Sequence, residues 1–249
     1  MASISDGAGQ EFMERTRYQY LPPSQQRQGF PQPPLEIPPA DGLPIIDLPQ
    51  PDSLQFPELS LRQAIDQRRS SRHYTSQPVK LSELSMLLWL TQGVKEVTTR
   101  PATLRTVPSA GSRHAFETYL AARQVEGLEG GLYRFLAIEH KLQQIEQDPD
   151  FIEKLGETCW NQAHILSSAV TFIWVAVKAR MYWRYGERGF RYLHLDAGHV
   201  CQNLYLSALG LNCGVCAIGA FEDVAINHLL GLDGVDQFVI YMASLGKLI

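Results

Sequence analysis

Thr118-Tyr-Leu-Ala-Ala-Arg-Gln-Val125 is followed by Gly127-Leu-Glu-Gly-Gly131 and then by Leu132-Tyr-Arg-Phe-Leu-Ala-Ile138. Two apolar runs of strand length bracket a segment whose glycines accept the left-handed backbone of a turn, so the stretch reads as a β-hairpin. Working outward, Lys141-Leu-Gln-Gln-Ile145 adds a third short strand or a turn, Pro149 to Asn161 a helix, and Val170-Thr-Phe-Ile-Trp-Val-Ala-Val177 a buried strand. Strands joined by tight turns pair antiparallel, whereas parallel strands need long crossovers. The expected fold class is therefore α+β, an antiparallel central sheet flanked by helices, rather than a doubly wound parallel sheet.

On the N-terminal side, Leu61, Ala64 and Ile65 mark a short helix, and Leu81-Ser82-Glu83 opens another, with Ser82 as its N-cap and Gly93 as its stop. Residues 94–108 read as a polar loop. On the C-terminal side, a long helix runs from Phe190 to Leu209 with Leu193, Ala197, Val200, Cys201, Leu204 and Ala208 at helical spacing. Glu222 to Leu230 forms another short helix and Phe238 to Ala243 a final strand. Eleven of the fifteen prolines fall within residues 21–57, which can be neither a helix nor a central strand. The interleaved Phe30, Leu35, Ile37, Ile45 and Ile46 favour an extended strap laid on a surface over a solvated linker. Two parts are expected: an extended Pro-rich arm over residues 1–59 and a folded domain over 60–249.

With 249 residues, 45% of them hydrophobic, the chain can bury a large core, and its net charge of −4 argues against nucleic-acid or anionic-membrane partners. The strongest apolar runs are too short or too broken by glycine to span a bilayer, and no signal-peptide pattern opens the chain, so a cytoplasmic protein is expected. Cys159, Cys201, Cys213 and Cys216 form no disulfide framework, and Cys213-Gly-Val-Cys216 has no further ligands at zinc spacing. No metal site is expected, since His194 and His199 lack a partner at i+4. GxGxxG, GxxxxGK[ST] and GxSxG are absent, which leaves a dinucleotide fold, a P-loop and a hydrolase elbow without support.

Four segments carry candidate chemistry. Arg68-Arg69-Ser70-Ser71-Arg72 gathers three guanidiniums and two hydroxyls with no acid, a donor set that suits a phosphate ester, although alone it is better described as a solvated helix end. Pro108-Ser109-Ala110-Gly111 is a small-residue loop against which a planar ligand can lie, or an ordinary turn. Ala217-Ile218-Gly219-Ala220-Phe221 precedes a helix, where free amides can face negative charge, or packs tightly in the core. Tyr182-Trp183-Arg184-Tyr185-Gly186 is aromatic and basic and suits a conjugated ligand or an interface.

In chain order, Arg68 to Arg72, Pro108 to Gly111, Gly198-His199-Val200 with Gln202-Asn203-Leu204, and Ala217 to Phe221 together resemble the nitroreductase superfamily, and within it the SagB-type branch that includes azoline oxidases. The resemblance runs from about Leu61 to Lys247. It implies FMN as cofactor, NAD(P)H as a candidate electron donor, and a homodimer with sites at the interface. Arg68, Arg69, Ser70 and Arg72 would hold the FMN phosphate and ribityl chain, with Lys247 as a further phosphate cation. Ser109 would reach the flavin from the partner subunit, and the amides of Gly219 and Ala220 would face its N5 edge. The implied chemistry is ping-pong hydride transfer through FMN to a small-molecule or modified-peptide substrate. Azoline oxidases carry a Lys-Tyr pair, and Arg184-Tyr185 stands at the matching position. Tyr185 fits a proton carrier, whereas a guanidinium stays protonated and cannot act as a base. Arg184 would instead bind an anionic substrate or a nicotinamide phosphate. Dehydrogenation of an azoline-type heterocycle and a non-catalytic flavin-binding subunit are the alternatives.

Overall fold

The computed structural model describes residues 7–248, so residues 1–6 of the arm and residue 249 lie outside the described residues. In chain order the elements are α1 (Ala8–Arg15), β1 (Ile45–Asp47), α2 (Leu61–Gln67), α3 (Leu81–Gln92), β2 (Val94–Val97), β3 (Thr103–Arg105), β4 (Phe116–Ala122), β5 (Gly131–Leu136), β6 (Lys141–Gln147), α4 (Phe151–Thr158), α5 (Ala163–Leu166), β7 (Val170–Val177), α6 (Lys178–Tyr185), α7 (Gly189–Gly210), β8 (Cys213–Ile218), α8 (Asp223–Leu229) and β9 (Gln237–Lys247). Seven strands form one sheet in the order β1-β6-β5-β4-β7-β9-β8, and every neighbouring pair is antiparallel. The α+β reading and the hairpin that led to it hold: Ala122 pairs with Gly131 and Thr118 with Phe135.

Alternation along β4 shows how the layers form. Phe116, Leu120 and Ala122 face a core built with α3 and α7, while Tyr119 and Ala121 face a second core built with α4 and α8. Both faces of the central strands are covered, which is why β7 reads as an unbroken apolar run. Among the described residues no helix is long and apolar enough to cross a membrane.

Three local expectations are corrected. Residues 94–108 are not a plain loop: β2 and β3 form a two-stranded ribbon, closed by Thr98 N donating to Ala102 O at 2.9 Å. The ribbon is held down by the Arg105 guanidinium, which donates to the Gln92 side chain at 3.1 Å. Helix α3 is capped by residue 80 rather than Ser82, because the Glu83 carboxylate accepts from the Lys80 amide at 2.9 Å. The last strand runs on to Lys247, four residues past the expected end at Ala243.

The Pro-rich segment is extended, and it is bolted to its own body. Proline lacks an N–H but keeps its carbonyl, and those carbonyls serve buried arginines. Arg180 donates to Pro34 O at 2.8 Å and Arg134 to Pro38 O at 2.9 Å, and both side chains are buried. Ile37 N donates to the buried Glu117 carboxylate at 2.9 Å. Ala40 and Gln143 exchange two hydrogen bonds. β1 then joins the sheet edge beside β6.

Candidate functional site

Helix α2 begins with a reciprocal Ser60–Gln63 cap and ends at Arg68, whose φ/ψ of −56°/127° leaves the helix. The chain then runs beside β8: Ser70 bridges Val215, and Ser71 N donates to Val215 O at 2.9 Å. Two adjoining clefts of about 360 and 530 Å³ open along this segment, lined by Arg69, Ser71, Arg72, Asn212 and Gly214 among others, with no carboxylate among the lining residues. A Cβ on Gly214 would lie 2.6 Å from Ser71 Cβ, so glycine permits the close approach of this segment to β8. Among the described residues no ion pair engages Arg68, Arg69 or Arg72. Arg68 stacks over the Tyr205 ring, 5.2 Å from its centroid. Ala217 N donates to the Tyr205 hydroxyl at 2.8 Å, and that hydroxyl lies 2.9 Å from Ser70 Oγ.

Gly219 and Ala220 follow β8 and are exposed, with only the Tyr241 ring, at 3.8 Å, near a notional Cβ on Gly219. The segment is thus packed in the core at Ile218 and open at Gly219 and Ala220. The Ala220 carbonyl is held by Gln162 Nε2 at 2.9 Å, and no backbone or side-chain hydrogen bond engages the Gly219 or Ala220 amides among the described residues. Lys247 departs from expectation. Its ammonium is buried and donates to Glu83 at 2.6 Å and to Leu211 O at 2.8 Å, so it is a closed ion pair rather than a free phosphate cation. A buried ammonium needs such partners. The four cysteines are free and buried. Burial pushes the Cys201 thiol up to about 12 and the Cys213 thiol up to about 11, which suits packing rather than redox work.

A second constellation forms on the N-terminal half of α7. Ser109 Oγ donates to Asp196 at 2.6 Å and accepts from His114 N at 2.9 Å, and Ala110 N also donates to Asp196 at 3.2 Å. Burial raises the Asp196 pKa, while the Ser109 and Ala110 bonds pull it back. The small-residue loop is thereby pinned to its own helix, with the Ser109 proton committed. Gly111, at φ +58°, packs directly under Arg184 and the Tyr185 hydroxyl. Within one chain the structure thus brings Ser109, Gly111, Arg184 and Tyr185 together, and separately Arg69, Ser70, Arg72 and Asn212, while Arg68, over Tyr205, lines neither cleft. Asp196 and Tyr205, which anchor the two groups, are nine residues apart on α7, about 14 Å along its axis.

Sequence reasoning missed Asp196, Tyr205, Asn212 and Gly214. Asp196 had a signal, a lone acid beside Leu193 and Ala197 on the apolar face of a helix. The other three are specified only by the approach of residues 68–72 to β8.

Comparison with known proteins shows the family. The Nitroreductase family profile matches residues 65–247. A "putative nitroreductase" of Methanocaldococcus jannaschii is 37% identical over 173 residues, covering 70% of this chain and 85% of the relative. The trifolitoxin-processing protein TfxB of Rhizobium leguminosarum bv. trifolii is 30% identical over 133 residues, 52% of this chain and 36% of TfxB. Among solved structures, a "putative nitroreductase" of Anabaena variabilis aligns with TM-score 0.65 and 33% identity over 75% of this chain. This chain spans 37% of that protein's length. Two more distant structures share the fold: a Desulfovibrio desulfuricans protein in complex with FMN, at TM-score 0.53 and 19% identity over 76% of this chain and 87% of that one; and the E. coli microcin synthetase McbBCD complex with truncated pro-MccB17 bound, at TM-score 0.61 and 15% identity over 96% of this chain and 86% of that one. A family profile that covers nearly the whole body, a relative matched over most of its length and the antiparallel α+β fold agree: the chain belongs to the nitroreductase family.

Proposed function

We propose that this protein is an FMN-dependent oxidoreductase that passes electrons from a donor such as NAD(P)H to an organic acceptor in two half-reactions. The observation that carries the reading is the cleft bordered by Arg69, Ser71, Arg72 and Asn212, with no carboxylate in its lining and, among the described residues, no ion pair on its arginines. That donor set fits the dianionic phosphate of FMN, and planar guanidinium forks match its oxygens. Bound FMN supplies the hydride chemistry.

The chain's own residues do the rest. Arg68, Arg69 and Arg72 neutralise the phosphate. A hydrogen-bond chain joins Ala217 N, the Tyr205 hydroxyl and Ser70 Oγ and holds the serine at the cleft. Lys247 stays with Glu83 and braces β9 against α3. The Gly219 and Ala220 amides favour the electron-rich, reduced ring, as fixed donors do at an oxyanion hole. Tyr185 delivers a proton to the acceptor, and Arg184 orients it. The two half-sites are completed across a homodimer, in which the Ser109 loop of one subunit approaches the Arg68 cluster of the other. The exposed stripe of Leu195, Gly198, His199 and Gln202 on α7 supports that packing, since Gly198 lets a partner helix approach closely and Leu195 offers it an apolar contact. A cytoplasmic location fits a nicotinamide donor.

The test is flavin content. Purified protein should show the visible absorbance of FMN, and Arg68→Ala/Arg72→Ala should lose it. Unchanged occupancy in the double variant would contradict the phosphate assignment. A second reading, oxidation of a peptide azoline, draws on the likeness to TfxB and to the microcin synthetase complex. Anaerobic bleaching by NAD(P)H supports the first reading, and bleaching only by a reduced heterocycle supports the second. Failure of every donor and acceptor to turn over faster than with free FMN would point to a flavin-binding subunit.

A further inference from the structure

A third cleft, of about 530 Å³, lies where the N-terminal arm crosses the end of α6. Its walls are Tyr18, Pro22, Pro23 and Arg27 from the arm, and Arg184 and Tyr185 from the body, with no Asp or Glu among the lining residues. The arm is clamped on both sides of it. Before the cleft, Tyr18 and Tyr192 share a 2.6 Å hydroxyl–hydroxyl hydrogen bond, and Arg188 stacks on the Tyr18 ring at 4.2 Å while donating to Thr16 O at 2.9 Å. After it, Gln26 N donates to Trp183 O at 2.8 Å, a bond that sets the adjacent residues, Arg27 and Arg184, on one cleft. No ion pair engages either guanidinium among the described residues. On the body side, Arg113 has its pKa lowered by burial first and then by the nearby Arg184 and Arg100, so Arg184 already sits among like charges. Bringing cations together without a carboxylate is costly unless an anion joins them.

We infer that this cleft is an anion subsite in which Arg27 of the arm and Arg184 of α6 together grip a carboxylate or phosphate carried by the reactant. The tyrosine and proline faces suit a flat apolar body beside the anion, so the ligand class is a planar organic anion. The arm thereby becomes a determinant of specificity. That the ligand is the reactant rests on the flavin reading above, whereas the anion site itself does not.

The test is calorimetric binding to the full chain after incubation with FMN, using two matched pairs: 4-nitrobenzoate against nitrobenzene, and NADP⁺ against NAD⁺. In at least one pair the more highly charged member should bind about tenfold tighter, the worth of one charge-assisted contact. A response in the first pair identifies the acceptor as the source of the anion, and one in the second identifies the donor. Arg27→Ala should remove the preference, and Arg27→Lys should keep part of it. Arg27 is exposed, so an unchanged melting temperature will show that the fold is intact. Equal affinities within both pairs, or a preference that survives Arg27→Ala, overturns the proposal. An Arg27-dependent preference in protein that takes up no FMN sustains the anion site and removes the flavin reading. Loaded flavin without the preference does the reverse.

Discussion

Gly111 combines two constraints at one atom: a left-handed φ of +58° and the Arg184 and Tyr185 side chains packed where a Cβ would go. Gly111→Ala should cost about 1–2 kcal/mol from the backbone alone and displace Tyr185. Turnover should fall while flavin content is kept, a split that absorbance and steady-state rates together will read. His114 makes a second prediction. Burial first, then Arg105 and Arg113, lower its pKa from the ordinary 6.5 to about 3. The unfolded chain therefore binds more protons between those values, so stability is full above pH 6.5 and is lost as pH falls toward 3. Burial lowers His140 and His164 in the same direction. Denaturation measured across this window should show a shallower acid loss in His114→Asn, which tolerates the φ of 42° at that position. Glu117 makes a third. It is buried against Arg180, so Glu117→Ala should cost about 3–5 kcal/mol by chemical denaturation, since it leaves a buried cation unpaired. At this scale the sequence showed which residues bear charge. It did not show which charges are spent internally, as at Lys247, Glu117 and Arg105, and which remain for ligands.

Helix α7 organises the site, holding the Ser109 loop through Asp196 and the Arg68 segment through Tyr205. Tyr205→Phe should orphan the Ala217 amide, at a cost of about 1–3 kcal/mol, and weaken flavin retention in a dialysis assay. Gly198 has open space around it on the exposed face. Gly198→Arg should shift the protein toward monomer by analytical ultracentrifugation while its helical circular dichroism stays unchanged. Elements with strong periodicity were legible: β7 matches its reading from Val170 to Val177, and α7 extends Phe190–Leu209 by one residue at each end. The β2–β3 ribbon was hidden because its strands are short and mostly polar. β8 was hidden because Gly214 and the two cysteines around it look like a turn, although each is buried.

For the whole molecule, the arm and the body form one folding unit. Removing residues 7–59 would strip buried Arg134 and Arg180 of carbonyl partners and Glu117 of an amide. Each orphaned group costs about 1–3 kcal/mol, which together is comparable with the stability of an ordinary domain. A truncated chain should therefore be insoluble or melt far below the full one in a thermal scan. Composition pointed to an extended course for the Pro-rich residues 21–57, but the expectation of an extended arm throughout is corrected at α1, a helix over Ala8–Arg15. Composition could not reveal that the arm's carbonyls complete the interior, because a proline-rich sequence looks the same whether solvated or buried. The course of the arm also bears on aggregation. An open seven-strand sheet has two raw edges, each a template for pairing with a neighbouring molecule. Here one edge is the three-residue β1, closed off between Pro44 and Pro49. The other, β8, is shielded by the Ser70–Ser71 backbone. The segment whose arginines we propose for the phosphate is thus also the guard that keeps this sheet from growing into its neighbours.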